Sequence, residues 1–89
     1  MVSQKVCIKN PMGLHLRPAG ILCNEAVRFQ SKITFSYKGN IANAKSVLSV
    51  LGACVRPGDE VEFTCEGEDE EEALKAMIAI VESGLGGKM

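Results

Sequence analysis

Apolar and polar positions alternate at the start of the chain. Val2, Val6 and Ile8 share a side with Gln4, and Ser3, Lys5, Cys7 and Lys9 take the other. A period of two predicts a strand with one buried face. Asn10-Pro11-Met12-Gly13 then interrupts it with turn-forming residues. From Leu16 to Phe29 the period becomes helical. Ala19, Leu22, Ala26 and Phe29 form a stripe suited to packing on a sheet. A second stripe, Leu16, Gly20, Cys23 and Val27, lies about a quarter turn away and is expected to be partly exposed.

Alternation returns with Ile33, Phe35 and Tyr37, which predict a second strand. Gly39-Asn40 reads as a hairpin turn, with Ile41-Ala42-Asn43 returning as a third strand. Ser46 and Gly52 read as the N-cap and the stop of a short second helix. Arg56-Pro57-Gly58-Asp59 has the proline and glycine of a type II turn. A fourth strand follows, with Val61, Phe63 and Cys65 inward and Glu60, Glu62, Thr64 and Glu66 outward. A third helix then places Asp69 to Glu72 at its positive end. Ala73, Met77, Ile80 and Val81, with Leu74 alongside, form its apolar face, and Gly84 is its stop signal.

The order strand, helix, strand, strand, helix, strand, helix predicts an α+β open-faced sandwich. A four-stranded antiparallel sheet is expected to carry three helices on one face and to meet water on the other. With 89 residues, one domain over 1–89 is the expectation.

Composition narrows the function classes. Ten basic and eleven acidic residues give a net charge of -1 with no basic run, which argues against nucleic acid. No apolar stretch approaches the roughly 20 residues that span a bilayer. The N-terminus runs straight into the first strand, so a cytoplasmic protein without a signal peptide is expected. Cys7, Cys23, Cys54 and Cys65 form no C-x-x-C pair. They read as reduced, buried or half-buried small hydrophobes rather than metal ligands, and no metal or cofactor is expected.

The chemistry gathers at Gly13-Leu14-His15-Leu16-Arg17-Pro18-Ala19-Gly20, which contains the only histidine. A neutral imidazole nitrogen is a good nucleophile near neutral pH. At the N-cap of the Leu16–Phe29 helix it would face unpaired amides and the positive end of the helix dipole, a setting for a phosphoryl anion. Arg17 offers a permanent charge with phosphate-matched donors. Pro18 sits in the first turn, where its missing N–H removes no intrahelical bond, and it stiffens the site. The ordinary reading is a surface histidine before a helix.

The segment Gly13 to Ala19 resembles the active-site signature of HPr, the histidine phosphocarrier of the bacterial sugar phosphotransferase system. Asn43-Ala44-Lys45-Ser46-Val47-Leu48 is similar to that family's regulatory-site region, and the likeness spans the chain to the Gly84-Leu85-Gly86 ending. The resemblance implies a stoichiometric carrier rather than an enzyme. His15 would accept a phosphoryl group on Nδ1 from phosphorylated enzyme I and pass it to IIA domains of sugar permeases, with Arg17 steadying the phosphate. It implies a second role for Ser46 as the target of an HPr kinase/phosphorylase, with a catabolite-control transcription regulator as a further partner. Leu16, Gly20, Asn24, Val27, Val47, Leu48 and Leu51 would form the docking surface of a monomer. Leu16 stands where the family carries alanine, Gly20 where it carries threonine or another small residue, and Met12 where it is usually polar. These departures bear on partner choice. The alternatives are a nitrogen-branch phosphocarrier, and a regulatory paralogue acting through Ser46-dependent binding, a kind that lacks the active histidine.

Overall fold

A computed structural model describes residues 1–11 and 13–85. Strands β1 (Val2–Cys7), β2 (Lys32–Tyr37), β3 (Asn40–Asn43) and β4 (Glu60–Glu66) alternate with helices α1 (Leu16–Ala26), α2 (Val47–Gly52) and α3 (Glu70–Glu82) in the expected βαββαβα order. The strands form one antiparallel sheet in the spatial order β1-β4-β2-β3. Helix α3 packs on β1 and β4 and against α1, while α2 lies against α1 and β3. The core lies between helices and sheet. Ile33, Phe35, Val61, Phe63 and Cys65 supply the sheet side, and Leu22, Ala26, Met77 and Val81 the helix side, all fully or nearly fully buried. Phe35 and Phe63 face each other across the β2–β4 pair, with ring centroids 5.6 Å apart. The tilted packing of such rings adds to the hydrophobic gain from their burial.

Four local readings change in the tertiary structure. Helix α1 ends at Ala26 rather than Phe29. Arg28 and Phe29 bond back to the Glu25 and Ala26 carbonyls in a tighter turn, and Lys45 Nζ donates to the Phe29 carbonyl at 2.7 Å. The hairpin turn is Lys38-Gly39, one residue earlier than Gly39-Asn40, because Tyr37 pairs directly with Asn40. Both turn residues have positive φ, 51° and 82°, as a two-residue turn of the twisted hairpin requires. In α3 it is Ile78 that is buried, with Ile80 and Leu74 at the edge of the core. Gly52 is the last helical residue of α2, and Cys54 takes the left-handed conformation beyond its end, with φ 56°. That place usually falls to glycine or asparagine, since a Cβ makes it costly.

Other signals hold as read. Gly84 has φ 91°, and Leu85 N–H bonds to the Ile80 carbonyl while Gly84 N–H bonds to that of Val81. This closure of a helix end buries Leu85 against the core. The 56–59 turn closes with Asp59 N–H on the Arg56 carbonyl and Gly58 at φ 88°. Met12 and Gly86 lie outside the described residues, so the reading of Met12 as part of the site's rim and the last residue of the Gly84-Leu85-Gly86 ending gain no structural account.

Candidate functional site

The loop from Ile8 to His15 is anchored from below. Ile8 N–H donates to the Asp59 carbonyl at 2.8 Å, and Gly58 N–H to that of Ile8 at 2.7 Å. Leu14 N–H donates to the Val55 carbonyl at 3.1 Å, and the buried Asn10 amide donates to the Gly13 carbonyl at 2.8 Å. Gly13 has φ 63°, and a Cβ there would stand 2.6 Å from the Val55 carbonyl oxygen. Only glycine fits a left-handed turn pressed so closely on a second backbone. Leu14 beside it is buried in the core.

The loop delivers His15 to the N-cap of α1 in extended conformation. Its carbonyl accepts the Ala19 N–H at 2.8 Å, so the backbone begins the helix. Its side chain makes no capping bond and is exposed. Ser, Asp or Asn at this position would turn a side-chain oxygen onto the first amides. An imidazole that does not do so leaves those donors to an external group. Pro18, buried in the first turn, brings no N–H of its own, and Leu16 and Arg17 carry the free amides of the helix start.

Arg17 is exposed, and among the described residues it enters no ion pair. It does not line the shallow depression beside the histidine. That depression is lined by Leu14, His15, Leu51, Cys54, Val55 and Arg56. Leu51 was expected near His15. Cys54 and Arg56 were not, since Cys54 was expected to be buried or half-buried and Arg56 was read only as part of a turn. Cys54 is in fact exposed, Cys7 half-buried, and Cys23 and Cys65 buried. Burial raises the thiol pKa of Cys23 and pushes that of Cys65 to about 11, so both stay protonated at neutral pH. The carboxyl of Asp59 closes the turn beneath the site. The Tyr37 hydroxyl and then the Arg56 amide donate to it and hold it below the usual carboxylate range.

The expected docking residues divide by exposure. Leu16 is 71% exposed, Val27 58% and Leu48 83%, all unusually open for large apolar side chains. Asn24 is exposed, while Gly20, Val47 and Leu51 are half-buried. Cys23 leaves the second stripe and joins the core at 4% exposure. Ser46 caps α2 as read, its Oγ accepting the Ser49 N–H at 3.2 Å. Leu16, Gly20 and Asn24 recur at helical spacing along α1, and Val27 follows at its C-cap.

Comparison with known proteins bears on the family. The family described as PTS HPr component phosphorylation site matches residues 2–83. The chain is 40% identical over 82 residues to the HPr-like protein Crh of Bacillus subtilis (strain 168), covering 92% of this chain and 96% of that protein. It is 38% identical over 79 residues to the phosphocarrier protein HPr of Mycoplasma pneumoniae, covering 88% and 90%. The crystal structure of HPr-C-His from Thermoanaerobacter tengcongensis superimposes with a TM-score of 0.96 at 37% identity, covering 100% of both chains.

Proposed function

Because the chain belongs to the PTS HPr family, a family of phosphocarriers, we propose that it carries a phosphoryl group on His15 between phosphorylated enzyme I and the IIA domains of sugar permeases. The observation that carries this reading is an exposed imidazole at the N-cap of α1 that leaves the helix's first amides unused. With the ring proton on Nε2, the Nδ1 lone pair attacks phosphorus. A nitrogen–phosphorus bond forms as the bond between phosphorus and the donor's nucleophile breaks, and the same exchange in reverse order delivers the group to the next acceptor. The Leu16 and Arg17 amides, the helix dipole and the Arg17 guanidinium meet the charge of the arriving group. Because all of these lie at the surface, they stabilise the phosphorylated state modestly, which suits onward transfer. Leu16, Gly20, Asn24, Val27, Val47, Leu48 and Leu51 form the docking surface of a single, monomeric, cytoplasmic domain spanning 1–89.

Incubation with enzyme I and phosphoenolpyruvate adds one acid-labile phosphoryl group to the wild type and none to His15→Ala. An unmodified wild type overturns the reading.

The likeness to Crh favours a second reading, regulation through Ser46. Phosphorylation by an HPr kinase/phosphorylase would put nearly two negative charges at the start of α2. There they would repel an acidic partner from the α1–α2 surface and offer a contact to a catabolite-control regulator. His15 separates this role from that of a purely regulatory paralogue. If Ser46→Ala removes function in cells and His15→Ala does not, the chain is a regulator and not a carrier. A nitrogen-branch role predicts transfer to nitrogen-branch acceptors in place of sugar-permease IIA domains.

A further inference from the structure

Arg56 stands on the wall of the depression that also holds His15, although forty-one positions separate them in sequence. Its place is set by backbone rather than by side-chain chance. Val55 accepts the Leu14 N–H, and the Gly13 backbone approaches closely enough that a Cβ would come within 3.2 Å of the Arg56 carbonyl carbon. Arg56 N–H is held by the Asp59 carboxylate at 3.1 Å, and its carbonyl by Asp59 N–H at 3.1 Å. The residue is exposed, and among the described residues its guanidinium enters no ion pair. Asp59 is the acidic group closest to it in the turn, and that carboxylate is already engaged by the Tyr37 hydroxyl and the Arg56 amide.

A guanidinium that enters no ion pair among the described residues thus shares a depression with His15, and Arg17 is not one of the residues lining it. We propose that Arg56 is a second phosphate-positioning cation, which meets the phosphoryl group on His15 from the α2–β4 side while Arg17 meets it from α1. The inference rests on His15 being the phosphoryl acceptor. Arg56 touches no reacting atom of the free protein, and its role is to orient and neutralise the group once it is attached.

A cation beside a phosphoryl group favours its more ionised form, so the acid constant of the attached group reads the contact directly. Phosphoramidate can load the chain's only imidazole without enzyme I, which keeps this test separate from failure of the donor assay. The titration midpoint of the phosphoryl group, followed by phosphorus NMR at low salt, is expected to rise in Arg56→Gln. The change in acid constant should be roughly two- to five-fold, or about 0.3 to 0.7 pH unit, as for other exposed charge pairs. Arg56→Lys should stay near the wild type, and the difference should close at about 1 M salt, where the screening length is ~3 Å. A midpoint in Arg56→Gln equal to that of the wild type at low salt overturns the proposal. So does an equal shift in Arg56→Gln and Arg56→Lys, or a shift that high salt leaves unchanged, because either would mark a loop effect rather than a charge.

Discussion

The two ends of the sheet use their polar side chains in opposite ways. At the end where β1 starts, side chains tie elements together. Asp69 accepts the Gln30 and Ser31 amides, each at 2.9 Å, and the Ser31 hydroxyl. Glu70 receives the Met1 amino group at 2.9 Å and the Gly67 N–H at 3.1 Å. Around His15, backbone groups do most of the tying, and the side chains of His15, Leu16, Arg17 and Arg56 are left exposed. The exceptions lie beneath the site: the Asn10 amide holds the Gly13 carbonyl, and the Asp59 carboxylate accepts the Tyr37 hydroxyl and the Arg56 N–H. Transfer of a group through His15, as proposed, needs a fixed frame with unengaged functional groups. Building the frame from peptide bonds and glycine leaves the imidazole and guanidinium groups free for a partner.

The contrast can be tested from the strongest expected effect downward. Gly13→Ala and Gly67→Ala place a Cβ 2.6 and 2.7 Å from a neighbouring residue, at φ 63° and 154°. Each is expected to cost about 1–3 kcal/mol in chemical denaturation. Only Gly13→Ala should also slow phosphoryl acceptance, measured by mass spectrometry against enzyme I. Equal slowing in both variants would erase the distinction between the ends.

Next comes Asp69. Its carboxyl is held below the usual range first by the Ser31 hydroxyl and then by the Gln30 amide. The stabilisation it gives is therefore complete above the unfolded value, about pH 3.9, and is lost as pH falls through the lower folded value. Asp69→Asn should lower the melting temperature at pH 7, and the gap to the wild type should narrow through the acid limb. Phosphoryl acceptance by His15 should not change.

His15→Asp should supply the capping bond that the histidine does not make. A gain of roughly 0.5–1 kcal/mol is expected in denaturant melts, together with complete loss of phosphoryl acceptance. A loss of stability would show that the imidazole contributes to holding the frame. Leu48→Ala, at 83% exposure, should change stability by less than about 0.5 kcal/mol. It should nonetheless weaken binding to enzyme I, readable by calorimetry, if this flank is the docking surface.

Much of the fold was legible because its signals are local. Alternation found β2 and β4 and their buried sides, and the Ser46 cap and the Gly84 stop have their own residue chemistry. The departures came where packing outweighed local preference. Cys23 is buried in the core although its stripe was expected to be partly exposed, and Ile78 took the buried place expected for Ile80. Cys54 accepted a left-handed conformation that residue type alone would have assigned to Gly52.

The site shows the same division. The neighbours His15, Arg17 and Pro18 were readable because the N-terminus of a helix sets their relations through a few adjacent dihedral angles. Asp69 was read as a helix-dipole charge, and its bonds to Gln30 and Ser31 depended on where the start of α3 meets the loop that precedes β2. Cys54 and Arg56 carried no local signal of belonging beside His15. The Leu14–Val55 hydrogen bond and the Gly13 contact bring those segments together, and such pairings form only when the whole sheet closes. Sequence by itself determined the elements and the histidine at the helix start, because neighbouring residues govern both. Tertiary structure alone decided which distant side chains share the depression beside His15, because that depends on chain closure across the β1–β4 pairing.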